Sequence, residues 1–296
     1  MLAQQSYTPF QQHWAFGEVV RAFGGDVHRG VVSRDGNPVA TAQIVVRHAL
    51  GCSLNTLMMG PCWLAGDLST EVRSSALELI GKTAPIGRRA ILLTIPKEAT
   101  PDAEQALNLR RVVSGYHTVL IDLTSELSAL EAALDGKWRN RLRAAETSGI
   151  SVSRLGKSPA QYQFLLDGEV RQQRHRGYKA LPPNLVPAFQ EQAGRDSVMA
   201  LEAKQGAERV GGILFLRHGQ TATYHIGWTT AAGREASANN LLLWRGMELL
   251  KKQGAKTLDL GGVDTDQTPG IARFKLAMGG EVLTQSGTWL LWPRLW

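Results

Sequence analysis

The sequence is poor in the features that would make several protein classes easy to recognise. Its 296 residues include two cysteines, Cys52 and Cys62, neither with a histidine or second cysteine at metal-ligand spacing. This points to reduced structural thiols rather than a disulfide or zinc site. No run of about 18 apolar residues is present, as a membrane-spanning helix would require. The opening MLAQQSYTPFQQHW lacks the charged-then-apolar order of a secretory signal, so a cytoplasmic location is expected. Aromatic residues make up 7% of the chain and are sparse among its basic residues. That argues against a non-catalytic RNA-binding protein, which would interleave stacking platforms with its cations. What the chain does have is 43% hydrophobic residues, enough to fill one large core or two ordinary ones.

The charge is localised. Between Lys137 and Lys179 there are ten basic and three acidic residues, an excess of seven that equals the net charge of +7. The remainder of the chain is neutral, so an anionic partner would be met by this segment.

Periodicity predicts an α/β chain with two halves. Gln11–Gly24 has helical spacing, followed by a hairpin (Val27–Ser33, Val39–Arg47) turning at Asp35-Gly36, then a strand over Ser53–Met59. Ser69 caps a helix from Thr70 to about Lys82, and a strand over Arg89–Ile95 stops at Pro96. A helix over Ala103–Val112, a strand over Tyr116–Leu123 and one helix running to Thr147 close the first half. A strand over Ser151–Leu155 and helices starting at Ser158 and Leu185 open the second. A hairpin at Gln205-Gly206, a strand over Thr221–Trp228, a helix over Asn239–Lys252 and a strand over Lys256–Leu260 follow. Gly36 and Gly206 are 170 residues apart, and strand centres Ile91 and Leu258 are 167 apart. This common offset predicts a duplicated α/β unit, residues 1–149 and 150–296, with the boundary near Gly149.

One stretch is poor core material. Gly261–Gly280, GGVDTDQTPGIARFKLAMGG, mixes glycines, acids and the basic pair Arg273 and Lys275 just after a strand, where binding and catalytic groups commonly sit. Asp264 and Asp266 can orient an attacking amine or accept its proton, or else simply shape the turn or cap the helix after Pro269. Ile271, Phe274 and Met278 can form a helix core face with Lys275 exposed, or Lys275 can face a ligand. His225 reads as a core histidine more readily than as a general base.

Three pieces carry a resemblance: FQQHWAFGEV near the start, YHTVLIDLT with KWRNRLRAAETSGISV in the middle, and LDLGG with GIARFKLAMGGEV near the end. In order and separation they resemble the FemAB family, including its FemX-type members, which transfer amino acids from aminoacyl-tRNA to peptidoglycan precursors. The resemblance spans nearly the whole chain. It implies two tandem GNAT-like units with mixed central sheets flanked by helices and a substrate channel at or near the second. The first half has no glycine-and-acid loop after Ile95 like that of Gly261–Gly280, which puts the expected active site in the second half. The resemblance also implies no metal and no prosthetic group. No charged heptad segment interrupts the second half, so the coiled-coil arm of some relatives is not expected.

Residue by residue, the resemblance makes Lys275 the cation of the closing aromatic-basic motif, holding a tRNA phosphate or the developing oxyanion, with Phe274 and Arg273 beside it. It places Arg174, Arg176 and Tyr178, within RQQRHRGY, against an anionic precursor. The planar fork of arginine suits a diphosphate. Arg139 and Arg143 read either as tRNA backbone contacts or as packing residues. Two departures bear on the acceptor. Val20, with Arg21 adjacent, stands where many relatives have Lys or Gln, and Thr94-Ile95 precede Pro96 where relatives often have an acid. The acceptor is thus open between a peptidoglycan precursor and another envelope amine, for which peripheral membrane association is compatible. The alternative donor is acyl-CoA or an acyl-carrier protein. Against CoA, the place of the Q/R-x-x-G-x-G/A pyrophosphate loop reads GREASANN.

Overall fold

A computed structural model describes residues 5, 7–49, 52–66, 68–84, 90–96, 110–177 and 181–291. The chain forms two compact units, Met1–His117 with Leu283–Trp296, and Thr118–Val282.

In the first unit a 3-10 turn leads into helix α1 (Trp14–Ala22) and the hairpin β1 (Asp26–Arg34) and β2 (Asn37–Ala49). Asp35 (φ 51°) and Gly36 (φ 78°) both take left-handed backbone, the two-residue turn that matches strand twist. Strand β3 (Cys52–Leu57), the short β4 (Cys62–Trp63), helix α2 (Thr70–Thr83), β5 (Ala90–Pro96) and β6 (Arg110–Val113) follow. Ser69 caps α2, accepting from Val72 N. The predicted helix over 103–112 lies outside the described residues up to 109, and its last three residues fall instead in the strand Arg110–Val113. The β-branched Val112 and Val113 suit a pleated ladder better than a helix. Ala42, Ile44, Val46, Leu57, Leu77 and Ile80 pack the core beneath α2. Cys62 is a free, half-buried thiol whose pKa burial pushes up to about 12, so it is a poor nucleophile.

The second unit opens with β7 (His117–Asp122), then α3 (Leu127–Ala133), α4 (Gly136–Thr147), β8 (Ile150–Arg154), α5 (Pro159–Arg176), α6 (Leu185–Ala193), β9 (Val198–Gln205), β10 (Glu208–His218) and β11 (Thr221–Thr229). It ends with α7 (Ala231–Glu235), α8 (Ala238–Lys252), β12 (Thr257–Gly262) and α9 (Pro269–Leu276). The long helix expected to reach Thr147 is broken, because Asp135 turns extended and caps α4, accepting from Lys137 N and Trp138 N. The last strand, β13 (Glu281–Leu291), is not evident in the sequence, and from Leu283 it belongs to the first unit.

Among the described pairings, each unit has one parallel strand pair, the others being antiparallel. In the first unit the order is β1-β2-β3-β5-β13, with β3 and β5 parallel around α2. In the second it is β7-β12-β11-β10-β9-β8, with β11 and β12 parallel around α8. The division differs from the expected cut near Gly149. Residues 118–147 contribute Val119, Ile121, Leu123, Leu130, Leu134, Trp138, Leu142 and Ala145 to one core with Met199, Leu201, Phe215, Leu242 and Leu258. Burying each such side chain stabilises by roughly 1.5–3 kcal/mol, so this stretch follows its apolar partners rather than its position in the repeat.

Candidate active site

The parallel pairing of β11 with β12 is short: Thr221, Ala222 and Thr223 face Thr257, Leu258 and Asp259, and no later residues pair. Beyond this point β11 stays with β10 and carries a bulge, since Leu214 faces Ile226 while Phe215 faces Tyr224, leaving His225 as the extra residue. A bulge bends its strand and re-aims the side chains around it. The result is a fork at the C-terminal ends of β11 and β12, bordered by Tyr224, Gly261 and Gly262.

Helix α9 sends Lys275 to this fork. Pro269 suits its first turn, where an N–H would be unpaired anyway. Phe274 stacks on Trp138 of α4 at 5.9 Å between ring centroids. Lys275 is 9% exposed, and its Nζ donates to Gly262 O at 2.8 Å. The ammonium lies 5.8 Å from the Tyr224 ring centroid. Burial pulls its pKa down to about 8, and the neighbouring Asp259 carboxylate works the other way. Ile271 is 39% exposed. The core-face alternative holds for Phe274 and Met278, which pack into the core, and fails for the other two: the lysine is buried and the isoleucine faces out.

Around Lys275 the groups are sorted by charge state. Asp259 Oδ1 accepts from the Thr118 hydroxyl of β7 and from Gly261 N at 2.8 Å. Gly261 has φ +71°, a turn that a side chain would strain. Tyr224 and His225 keep some exposed surface yet are densely surrounded. Burial, reinforced by the Glu169 charge, pushes the Tyr224 phenol up to about 12. Burial alone takes His225 down to about 4. At neutral pH the site thus offers one ammonium beside a neutral phenol, with the Asp259 carboxylate held nearby.

Helix α5 runs toward the same place. Phe164 and Leu165 lie against Gly212 of β10, Gly168 against Trp228 of β11, and Gln172 Nε2 donates to Gly227 O at 3.1 Å. The helix thus crosses from β10 to β11 before its last turns, which carry exposed Arg174. Gly177 closes it with φ +69°. The Arg176 side chain and Tyr178 lie outside the described residues.

The other residues singled out in the sequence take different places. Asp264 Oδ1 accepts from Asp266 N (2.9 Å) and Gln267 N (2.7 Å), so this exposed carboxylate shapes the loop that ends at α9. Asp266 and Arg273 are exposed. On α4, Arg139 donates to Glu131 O at 3.4 Å and Arg143 pairs with the Glu131 carboxylate at 3.5 Å. The structure therefore sets Lys275 beside Tyr224 and Phe274 against Trp138, lays α5 along β11 at Gly227 and Trp228, and leaves Asp264 and Asp266 at the loop surface. Tyr224, Asp259, Thr118 and Glu169 escaped the sequence reading. Asp259 alone had a visible signal, its place at the end of the strand before the glycine turn.

Residues 135–276 match the family model described as an acetyltransferase (GNAT) domain. A structure of FemX superposes with a TM-score of 0.80 at 14% identity, over 98% of this chain and 94% of that one. The chain has the FemX fold. The C-terminal domain of a putative lysylphosphatidylglycerol synthetase from Agrobacterium fabrum superposes at TM-score 0.58 and 14% identity, over 96% of this chain and 88% of that one. A tandem GNAT protein from the clavulanic acid pathway does so at 0.52 and 15%, over 90% and 82%. No curated protein matches in sequence. In this FemX-fold chain the fork and Lys275 both fall within the matched GNAT domain. No helix among the described residues is long and apolar enough to cross a membrane.

Proposed function

We propose that the protein is an aminoacyltransferase, moving an aminoacyl group from the ribose ester of aminoacyl-tRNA to an amine of a peptidoglycan precursor or another cell-envelope acceptor. The buried Lys275 ammonium at the fork carries this reading, supported by the likeness to FemX and to the lysylphosphatidylglycerol synthetase domain. The neutral acceptor amine attacks the ester carbonyl, forming the C–N bond. The oxygen becomes an oxyanion beside Lys275, the C–O bond to the ribose breaks, and the amine proton ends on the ribose hydroxyl. A preorganised cation in a water-poor site stabilises the oxyanion far better than one in bulk water. Phe274 and Arg273 flank it on α9, and Arg174, Arg176 and Tyr178 take the acceptor's phosphates.

A sharp test presents the purified protein with radiolabelled aminoacyl-tRNAs, acyl-CoAs and envelope-precursor amines. Label leaving aminoacyl-tRNA for the amine is expected; transfer from acyl-CoA alone overturns the donor assignment. That second reading has one observation in its favour. Ser237, in left-handed backbone at φ 56°, gives α8 no side-chain cap, and an uncapped helix start is where an anion can meet N–H groups.

The Lys275 pKa also sets a pH dependence. The group acts as a cation, so its contribution is complete well below about 8 and fades as pH rises through that value. The kcat of the wild type is expected to fall above about pH 8, measured with acceptor at saturation. A plateau extending past pH 10 would remove the ammonium from the mechanism.

A further inference from the structure

The fork contains a carboxylate that the reaction as written does not use. Asp259 leaves β12 half-buried, and Oδ1 is gripped from two sides, by the Thr118 hydroxyl of the neighbouring β7 and by Gly261 N. Thr118 is itself almost wholly buried, at 1% exposure, so the hydroxyl has no competing solvent. The Gly261 contact closes an Asx-type turn over the left-handed glycine. The next carbonyl along, Gly262 O, is the acceptor of Lys275 Nζ. A side chain is thus linked through a two-residue turn to the atom that holds the ammonium.

We propose that Asp259 is a positioning residue for Lys275: fixed by Thr118 and Gly261 N–H, it sets the turn that presents Gly262 O and supplies the ammonium's counter-charge. The proposal rests on the reading of Lys275 as the site's cation. Alternatives for that counter-charge are few among the described residues. From β11 the ammonium faces Tyr224, which is neutral; from α5, Glu169 reaches Tyr224 rather than the lysine; from α4, the contact to α9 is Trp138 on Phe274. Asp264 and Asp266 are exposed on the loop, and exposed Arg273 on α9 carries the same sign as the ammonium. Asp259 is the charge that raises the Lys275 pKa against burial.

Asp259→Asn separates the two roles, because its amide oxygen can still accept from Thr118 and Gly261 while the charge is gone. The measurement is a titration of full-length protein carrying 13C-labelled lysine, following the Lys275 ε-carbon by NMR without substrate. The Lys275 pKa is expected to fall from about 8 to about 7 or lower, the size of effect a close opposite charge has. The alkaline limb of the kcat profile should move down in step. An unchanged Lys275 titration in the Asn variant overturns the proposal. If the Asn variant does not fold, Asp259→Ser, whose hydroxyl also accepts from Gly261 N–H, carries the same expectation and the same refutation. The titration needs no donor or acceptor, so it stands or falls separately from the aminoacyl-transfer assignment. Loss of that assignment shows instead as absent transfer by a wild type whose Lys275 titrates as described.

Discussion

Lys275→Met is expected to lower kcat about 100- to 1,000-fold, the usual loss when one preorganised oxyanion-stabilising group is removed. Methionine fits the site because it matches the lysine stem in length and needs no partner. KM should change little, since the ammonium meets charge that develops in the transition state. The alkaline fall of the kcat profile should vanish from the residual activity. Stability should move the other way. The native pKa, about 8, lies below the ordinary lysine value of 10.5, so between those two pH values the unfolded chain binds more protons and stability rises with pH. Below about 8 the full cost of burying the charge is felt. At pH 7 the Met variant is therefore expected to melt no lower than the wild type, and higher if the thioether packs well. Thermal melts at pH 7 with single-turnover kinetics check both halves. Near-normal turnover in a folded variant would remove Lys275 from the chemistry.

Much of this arrangement was legible in the sequence because it is written locally. The Asp35-Gly36 hairpin, the Ser69 cap and the helix from Pro269 each depend on side chains within a few residues of the backbone they shape. The closing aromatic-basic pair carried its resemblance in two adjacent letters. Other features depend on groups distant in sequence. Thr118 meets Asp259 across 141 residues, and only the order of strands in the second sheet makes them neighbours. The fork exists because β11 and β12 stop pairing after three residues and because a bulge makes His225 an extra residue. Neither event leaves a mark in hydrophobic period. That the compact units divide at Thr118 rather than near Gly149 has a related cause. The repeat offset marks where one pattern resembles another, whereas the core of 118–147 is decided by which apolar faces meet, and those faces lie on β9, β10 and α8. Lys275 itself was ambiguous from spacing alone. One turn of helix can point Ile271 or Lys275 inward, and the Phe274 contact with Trp138 fixes the rotation.

Gly279→Ala is expected to destabilise the second unit by roughly 2–4 kcal/mol, from left-handed strain combined with a backbone collision. Gly279 has φ +73°, and a Cβ built on it would lie 2.2 Å from Ala133 O and 2.8 Å from Ala133 C. The obstruction is main chain at the end of α3, so no side-chain rotation relieves it. The same junction is tied from the other direction, where Asp135 N donates to Ala277 O at 2.8 Å. Relief therefore requires α9 to lift away from the α3 to α4 junction, weakening the Phe274 contact with Trp138 and drawing Lys275 Nζ away from Gly262 O. Gly254, also left-handed at φ +82°, has nothing within 4 Å of its would-be Cβ. Gly254→Ala thus carries the strain without the collision and is the natural control. Calorimetry should place the midpoint for Gly279→Ala about 5–10 °C below wild type, with Gly254→Ala nearer to it. In the folded Gly279→Ala protein the Lys275 titration should move toward the ordinary lysine range, because a lifted helix lets water reach the ammonium. Equal losses in the two variants, with Lys275 titrating normally in both, would show that strain alone acts at Gly279 and that α9 is not held in place by this junction.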